Sequence, residues 1–137
     1  HQQLFFSKII YSNKLISKLD EIEKSAWKNL NVILVTGIAK TEGLVKFVEQ
    51  NFANVLHLEY PDHHNFSQSE IEYIYTRYES TEGRSRFDKI ILTTEKDYMR
   101  LMEESMIKED LYYIPISIDI NDKEKFNQTI LEYVGQN

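Results

Sequence analysis

VILVTGI, at residues 32–38, is a compact apolar run that is typical of a strand covered on both faces of its sheet. Three similar runs follow it along the chain, and each is short enough to form one strand. These runs are NVLHLEY (54–60), DKIILTT (88–94) and LYYIPISI (111–118). A further strand is predicted within LFFSKIIY (4–11).

Helical patterns alternate with these runs, and each of the first three begins at a residue that can cap a helix. The three residues are Thr41, Ser67 and Thr94. The start at Ser67 is the clearest, because Glu70 completes a capping box and Phe66 and Ile71 are spaced as a hydrophobic staple. A fourth helix is predicted from Asp122, with Phe126, Ile130 and Val134 on its apolar face.

Strands that alternate with helices predict right-handed crossovers and a mainly parallel sheet. The expected architecture is a three-layer α/β/α sandwich of the Rossmann-like kind. The sequence contains no Pro- or Gly-rich linker, so residues 1–137 are predicted to form a single α/β domain. Residues 12–30 are charged and only loosely periodic, which predicts a surface helix or an insertion there.

The composition excludes several classes of function. The chain has 137 residues and a net charge of −6, which argues against binding to a nucleic-acid backbone. It has no cysteine, which excludes disulfides, thiolate zinc sites and thiol catalysis. No apolar run approaches the roughly 20 residues that span a bilayer, so we expect a soluble chain. Its four glycines exclude a Gly-rich phosphate loop, since even Gly37 and Gly43 are wrongly spaced.

Polar residues follow three of the predicted strands, where ligands of open parallel sheets collect. The first group, TGIAKTE (36–42), places free amides at the start of a helix, where they can attract an anion. The second is the run Pro61-Asp62-His63-His64 with Phe66, and the third is Thr93-Thr94-Glu95-Lys96-Asp97. All three are candidates for a shared site at one edge of the sheet.

The Asp62-His63-His64 run allows three interpretations. Its side chains can hydrogen-bond to the backbone of a turn. They can join His57 and Glu59 as nitrogen and oxygen ligands of a metal ion. In the third interpretation a histidine acts as a general base on a hydroxyl group, and the neighbouring carboxylate fixes its tautomer.

The TTEKD run also has a purely structural interpretation. Thr94 can cap the helix, Glu95 and Asp97 suit its first turn, and Lys96 can be solvated. Lys96 between two carboxylates can also orient a phosphate or a catalytic side chain. The nearby basic residues Arg84, Arg86 and Lys89 are expected to serve solubility.

Three motifs together resemble the carboxy-terminal half of the tetraacyldisaccharide 4′-kinases of lipid A biosynthesis. They are VTGIA (35–39), YPDHHNFS (60–67) and LTTEKDYMR (92–100), in this order and spacing. The opening FFSKIIY (5–11) is similar to the segment before this half in members from the Bacteroides side of the family. The pairing of DHHxF with TTEKD carries most of the resemblance.

The resemblance implies a P-loop kinase that uses ATP and Mg²⁺ to phosphorylate the 4′-hydroxyl of an acylated disaccharide 1-phosphate. Such enzymes work on the cytoplasmic face of the bacterial inner membrane. Their Walker A loop and their magnesium-binding and catalytic aspartates belong to the amino-terminal half, which also contacts the membrane. We therefore expect this chain to be a carboxy-terminal lobe that is inactive alone and whose partner is its own P-loop lobe.

Carried over residue by residue, the resemblance makes His63 the first candidate for a catalytic histidine and His64 the second. It gives Asp62 the role of orienting that histidine. It also implies that four residues of the TTEKD run support the inter-domain cleft, namely Thr94, Glu95, Lys96 and Asp97. No metal ligand is expected in this chain.

Two other functional classes remain open at this stage. A metal-dependent phosphoesterase of the DHH type shares the Asp-His-His tripeptide, but it needs further aspartates at other strand ends. A non-catalytic α/β module would use the Tyr- and Phe-rich surface to bind a protein partner.

Overall fold

The computed structural model describes residues 7–120, which form two compact units. The smaller unit contains β1 (Ser7–Tyr11) and β8 (Ile116–Ile120), which pair antiparallel with Ile9 opposite Ile118. The larger unit, Asn13–Pro115, carries the main sheet and the helices. The predicted fourth helix lies outside the described residues, and the prediction of a single domain over residues 1–137 stays a prediction.

The main sheet has six strands in the order β3-β2-β7-β6-β4-β5. The strands are β2 (Lys14–Ile16), β3 (Glu21–Glu23), β4 (Asn31–Thr36), β5 (Asn54–Glu59), β6 (Lys89–Thr94) and β7 (Leu111–Ile114). Strands β5, β4, β6 and β7 are mutually parallel, whereas β2 and β3 extend the sheet antiparallel. The helices are α1 (Glu42–Asn51), α2 (Gln68–Glu79) and α3 (Glu95–Leu101).

Helices cover both faces of the parallel strands. The crossover through α1 runs from β4 to one side, and the crossover through α2 returns past β4 to the other. Right-handed connections therefore place α1 and α2 on opposite faces. Alternate strand residues serve the two faces, and Ile33 and Val35 pack with Ile71 and Ile74 of α2. The predicted three-layer α/β/α sandwich is confirmed, with a mixed sheet.

Two of the three predicted caps are confirmed. The Ser67 hydroxyl accepts from the Glu70 amide, and the Glu70 carboxylate accepts from the Ser67 amide, which forms the capping box. Thr94 accepts from the Asp97 amide at the start of α3. Thr41 precedes α1 as predicted, but its hydroxyl donates to Glu59 Oε2 at 2.8 Å instead of serving the helix.

Of the two predictions for residues 12–30, the surface helix is wrong, and an insertion stays a prediction. These residues form the hairpin of β2 and β3 and a short 3₁₀ helix at Lys24–Asn29. The charged residues of this stretch are exposed, while Leu15 and Trp27 are fully buried. Strands of three residues are too short to show a periodic pattern, so the sequence did not reveal them.

Two further predictions need correction. The run 111–118 forms two strands, because β7 belongs to the main sheet while β8, after Pro115, pairs with β1. Lys89 is 5% exposed and does not serve solubility. Its ammonium group donates to the carbonyls of Tyr78, Glu79 and Thr81 at the carboxyl end of α2.

Candidate active site

The three predicted polar groups meet at the carboxyl edge of the sheet. They follow β4, β5 and β6, which are neighbours in the sheet with β4 in the middle. The chain leaves β4 toward β5 on one side and returns to β6 on the other, so the strand order reverses here. Such a reversal opens a crevice at the strand ends, where α/β proteins bind their ligands.

Asp97 is the buried anchor of this edge, with 0% exposure. Its Oδ2 accepts hydrogen bonds from the Gly37 amide at 2.8 Å and from the Thr94 hydroxyl at 2.9 Å. Its Oδ1 accepts from Arg100 Nη1 at 3.2 Å. The carboxylate thereby ties the loop after β4 to the start of α3.

Gly37 leaves little room for a side chain in this close packing. A Cβ atom built on it would lie 3.1 Å from Asp97 Oδ1, 3.4 Å from the Pro61 carbonyl oxygen and 3.6 Å from the His64 Cβ. A methyl group there would require the Asp97 carboxylate to move by a few tenths of an ångström, while its contacts with the loop after β5 would be ordinary van der Waals contacts. The glycine that the sequence analysis tested for a phosphate loop therefore serves loop packing.

Arg100 connects the anchor to His63. Its Nη2 lies 3.3 Å from His63 Nδ1, while its Nη1 holds Asp97. Sequence reasoning did not include Arg100 among the site residues. Its spacing of three residues from Asp97 on α3 is the signal that points to it, because residues at i and i+3 are neighbours on a helix.

His63 stands out at the surface of the edge, and its side chain is 68% exposed. Its backbone is in the left-handed region with φ of 58°, and its amide donates to the Gly37 carbonyl at 3.1 Å. Its Nε2 lies 3.4 Å from Asp62 Oδ2. The structure thus brings the predicted pair of Asp62 and His63 into contact.

His64 has a different environment. Its Nε2 lies 2.8 Å from Glu70 Oε1, and its ring stacks on Tyr60 and contacts the edge of Phe66. The Ser67 amide, and then His64, hold the pKa of the Glu70 carboxyl below its ordinary value. His64 therefore stabilises the start of α2 through its contact with Glu70. The two adjacent histidines thus have different partners, since His63 contacts Asp62 and Arg100 instead.

The four residues predicted to support a cleft divide into two pairs. Thr94 and Asp97 belong to the hydrogen-bonded anchor described above. Glu95 and Lys96 are exposed on the first turn of α3.

The five residues considered as metal ligands do not converge. His57 Nε2 lies 2.7 Å from the Thr36 hydroxyl, and burial lowers the pKa of its imidazole. Glu59 is engaged with Thr41 and His64 with Glu70. Within residues 7–120, no group of three or more His, Asp or Glu side chains is placed to hold a metal ion.

The chemistry available here is that of an exposed imidazole between a carboxylate and a guanidinium group. Imidazole and guanidinium N–H groups are hydrogen-bond donors that suit phosphate oxygens. An imidazole can also exchange a proton near neutral pH.

The helices of the described residues include none that is long and apolar enough to cross a membrane.

Comparison with known proteins gives one consistent result. A family model described as "Tetraacyldisaccharide-1-P 4'-kinase" matches residues 2–135. A tetraacyldisaccharide 4′-kinase of Bacteroides thetaiotaomicron is 35% identical over 153 residues, which cover 100% of this chain and 40% of the relative. The corresponding protein of Flavobacterium johnsoniae is 35% identical, over 99% of this chain and 37% of the relative.

A solved structure shares the fold. It is the "apo" form of LpxK from Aquifex aeolicus in complex with ATP, with a TM-score of 0.53 and 20% identity. The match covers 93% of this chain and 35% of that one. The chain thus spans about 40% of the length of the two curated relatives.

Proposed function

The chain belongs to the tetraacyldisaccharide-1-P 4′-kinase family, and from this membership we propose that it is the carboxy-terminal lobe of such a kinase. The complete enzyme would transfer the γ-phosphoryl group of ATP to the 4′-hydroxyl of an acylated disaccharide 1-phosphate. The reaction forms a bond between phosphorus and the sugar oxygen, breaks the bond to ADP and releases the hydroxyl proton. The lobe alone is proposed to be inactive.

One observation supports a catalytic role for this lobe. His63 is exposed at the point where the strand order reverses, yet hydrogen bonds fix both its backbone and its ring. A histidine that only stabilised its turn would make contacts such as those of His64. We therefore propose that His63 contacts the reacting groups and that Asp62 and Asp97 keep its loop in place.

ATP and Mg²⁺ are assigned to the rest of the longer protein. The sequence contains no Gly-rich phosphate loop, and the described residues offer no group of metal ligands. Bound there, ATP supplies the phosphoryl group and Mg²⁺ neutralises its charge. Phosphoryl transfer depends mainly on positioning and charge stabilisation, so a second lobe that brings an imidazole to the acceptor hydroxyl is a reasonable division of labour.

The site of action follows from the acceptor. An acylated disaccharide is embedded in a bilayer, so the complete kinase is proposed to work peripherally at the cytoplasmic face of the inner membrane. Contact with the membrane is assigned to the other lobe.

A chimera tests this function. This chain would replace the aligned 40% of the B. thetaiotaomicron relative, and ATP-dependent phosphorylation of the acyldisaccharide 1-phosphate would be measured in detergent micelles. We expect transfer by the chimera and none by the 137-residue chain. A folded chimera that binds ATP and transfers no phosphate contradicts the proposal, as does transfer by the chain alone.

Two neighbouring histidines provide a matched pair of variants within the chimera. His63→Ala is expected to lower kcat by about 10²-fold, the lower end for loss of a group that transfers a proton or donates a hydrogen bond to the reacting groups. His64→Ala is expected to weaken the start of α2 while kcat persists. Full activity in His63→Ala would instead favour a non-catalytic binding module.

A further inference from the structure

Four residues, from the loops after β4 and β5 and from α3, form a closed ring of hydrogen bonds. The His63 amide donates to the Gly37 carbonyl, and the Gly37 amide donates to Asp97 Oδ2. Asp97 Oδ1 accepts from Arg100 Nη1, and Arg100 Nη2 returns to His63 Nδ1. We refer to these residues as the four-residue ring.

The last contact has a definite direction. A guanidinium group carries five N–H donors and no acceptor, so His63 Nδ1 can only accept. A neutral imidazole has one N–H group, which must then be on Nε2. The position of Nε2 agrees with this assignment, because it lies 3.4 Å from the Asp62 carboxylate, an acceptor.

We infer that Arg100 is a positioning residue that fixes the orientation of the His63 ring and keeps its proton on Nε2. The buried Asp97 gives Arg100 a fixed attachment, because its Oδ2 is held by Gly37 and Thr94. The side chain of Arg100 is only 27% exposed, which further restricts the other conformations that it can adopt. The orientation of an exposed imidazole is thus set from the interior of the protein.

This changes the role of His63 within the function proposed above, on which this step rests. While Arg100 occupies Nδ1, the neutral ring presents an N–H group at Nε2 and no free lone pair. It therefore acts as a hydrogen-bond donor toward a carboxylate or a phosphoryl oxygen. A general base on the sugar hydroxyl, which the sequence predicted, would require the contact with Arg100 to break first.

The tautomer of His63 can be measured directly in this chain. Imidazole ¹⁵N signals would be recorded with labelled histidine at a pH where the ring is neutral and assigned with His63→Gln. Arg100→Met keeps the aliphatic stem and removes the donors. We expect it to lower the ratio of the Nε2–H to the Nδ1–H form by about fivefold, the size of one modest hydrogen bond.

Two other variants complete the design. Lys96→Met removes an exposed cation from the same helix and should leave the ratio of the Nε2–H to the Nδ1–H form unchanged. Arg100→Lys keeps one N–H donor group and should therefore show a smaller fall in this ratio than Arg100→Met. An unchanged ratio in Arg100→Met, or an equal change in Lys96→Met, overturns the inference.

A measurement on the unmodified chain keeps the inference testable if Arg100→Met does not fold. Nuclear Overhauser effects between the guanidinium protons of Arg100 and the ring protons of His63 should then be observed, because Nη2 lies 3.3 Å from Nδ1. Absence of these effects refutes the contact. The tautomer does not depend on catalysis, so an active His63→Ala chimera would refute the proposed function and leave the role of Arg100 standing.

Discussion

Removal of the buried carboxylate is expected to be the most damaging single change at the sheet edge. Asp97→Ala leaves the buried Gly37 amide without its acceptor and also removes the contacts with Thr94 and Arg100. An unsatisfied buried donor costs about 1–3 kcal/mol, and a broken buried ion pair about 3–5 kcal/mol. Because Arg100 is partly exposed, we expect a loss of about 3 kcal/mol in the free energy of unfolding.

Urea unfolding followed by circular dichroism measures this loss, with the slope m as a check that the transition stays two-state. Asp97→Asn should lower the free energy of unfolding by less than Asp97→Ala, because the amide oxygen can still accept from the Gly37 amide. Some loss remains, because the NH₂ group and Arg100 are both donors. Glu95→Ala is the control, because it removes an exposed carboxylate from the same turn and should cost less than about 1 kcal/mol. Equal losses in Asp97→Ala and Glu95→Ala would refute the view that Asp97 ties the loop after β4 to the start of α3.

Three further changes test separate parts of the structure. Gly37→Ala should cost about 1 kcal/mol in thermal or urea unfolding, because the new methyl group requires the hydrogen-bonded Asp97 carboxylate to shift; a neutral effect would show that the carboxylate shifts without losing its contacts. Lys89→Met should cost about 2 kcal/mol, because it leaves carbonyls at the end of α2 without their donor; an unchanged urea midpoint would contradict this role. The pKa of Glu70 is lower in the folded state than its ordinary value of 4.5, so the ionised carboxylate stabilises the fold at a pH above 4.5. This contribution to the free energy of unfolding is lost as the pH falls through the pKa of the folded state. Glu70→Gln should therefore flatten the decline of stability in acid, and a decline as steep as that of the unmodified chain would show that the contacts of Glu70 with Ser67 and His64 do not matter.

The sequence was sufficient for the parts of the fold that depend on local pattern. Buried parallel strands are apolar throughout, and the box at Ser67 and Glu70 uses contacts between near neighbours in the chain. The strands β2 and β3 left no such pattern, since their burial rests on Leu15 and Trp27 within an otherwise charged stretch.

The candidate site was only partly predictable for a similar reason. The rule that ligands collect at strand ends brought Asp62, His63 and Asp97 to one edge of the sheet. The roles of His63 and His64 could not be distinguished, because they differ in backbone conformation and in tertiary contacts with Arg100 and Glu70. Those contacts join residues 6 to 37 positions apart, which no local pattern encodes.

The burial of Trp27 has a practical consequence for all of these experiments. It is the sole tryptophan of the chain, and its ring stacks on Phe52 near the amino end of β4. The six residues of β4 separate it from Gly37 by about 20 Å. Its fluorescence emission should therefore stay native when the four-residue ring is altered and shift to longer wavelength only when the sheet itself unfolds. The molecule carries a spectroscopic reporter that distinguishes a local defect at the candidate site from the loss of the whole fold.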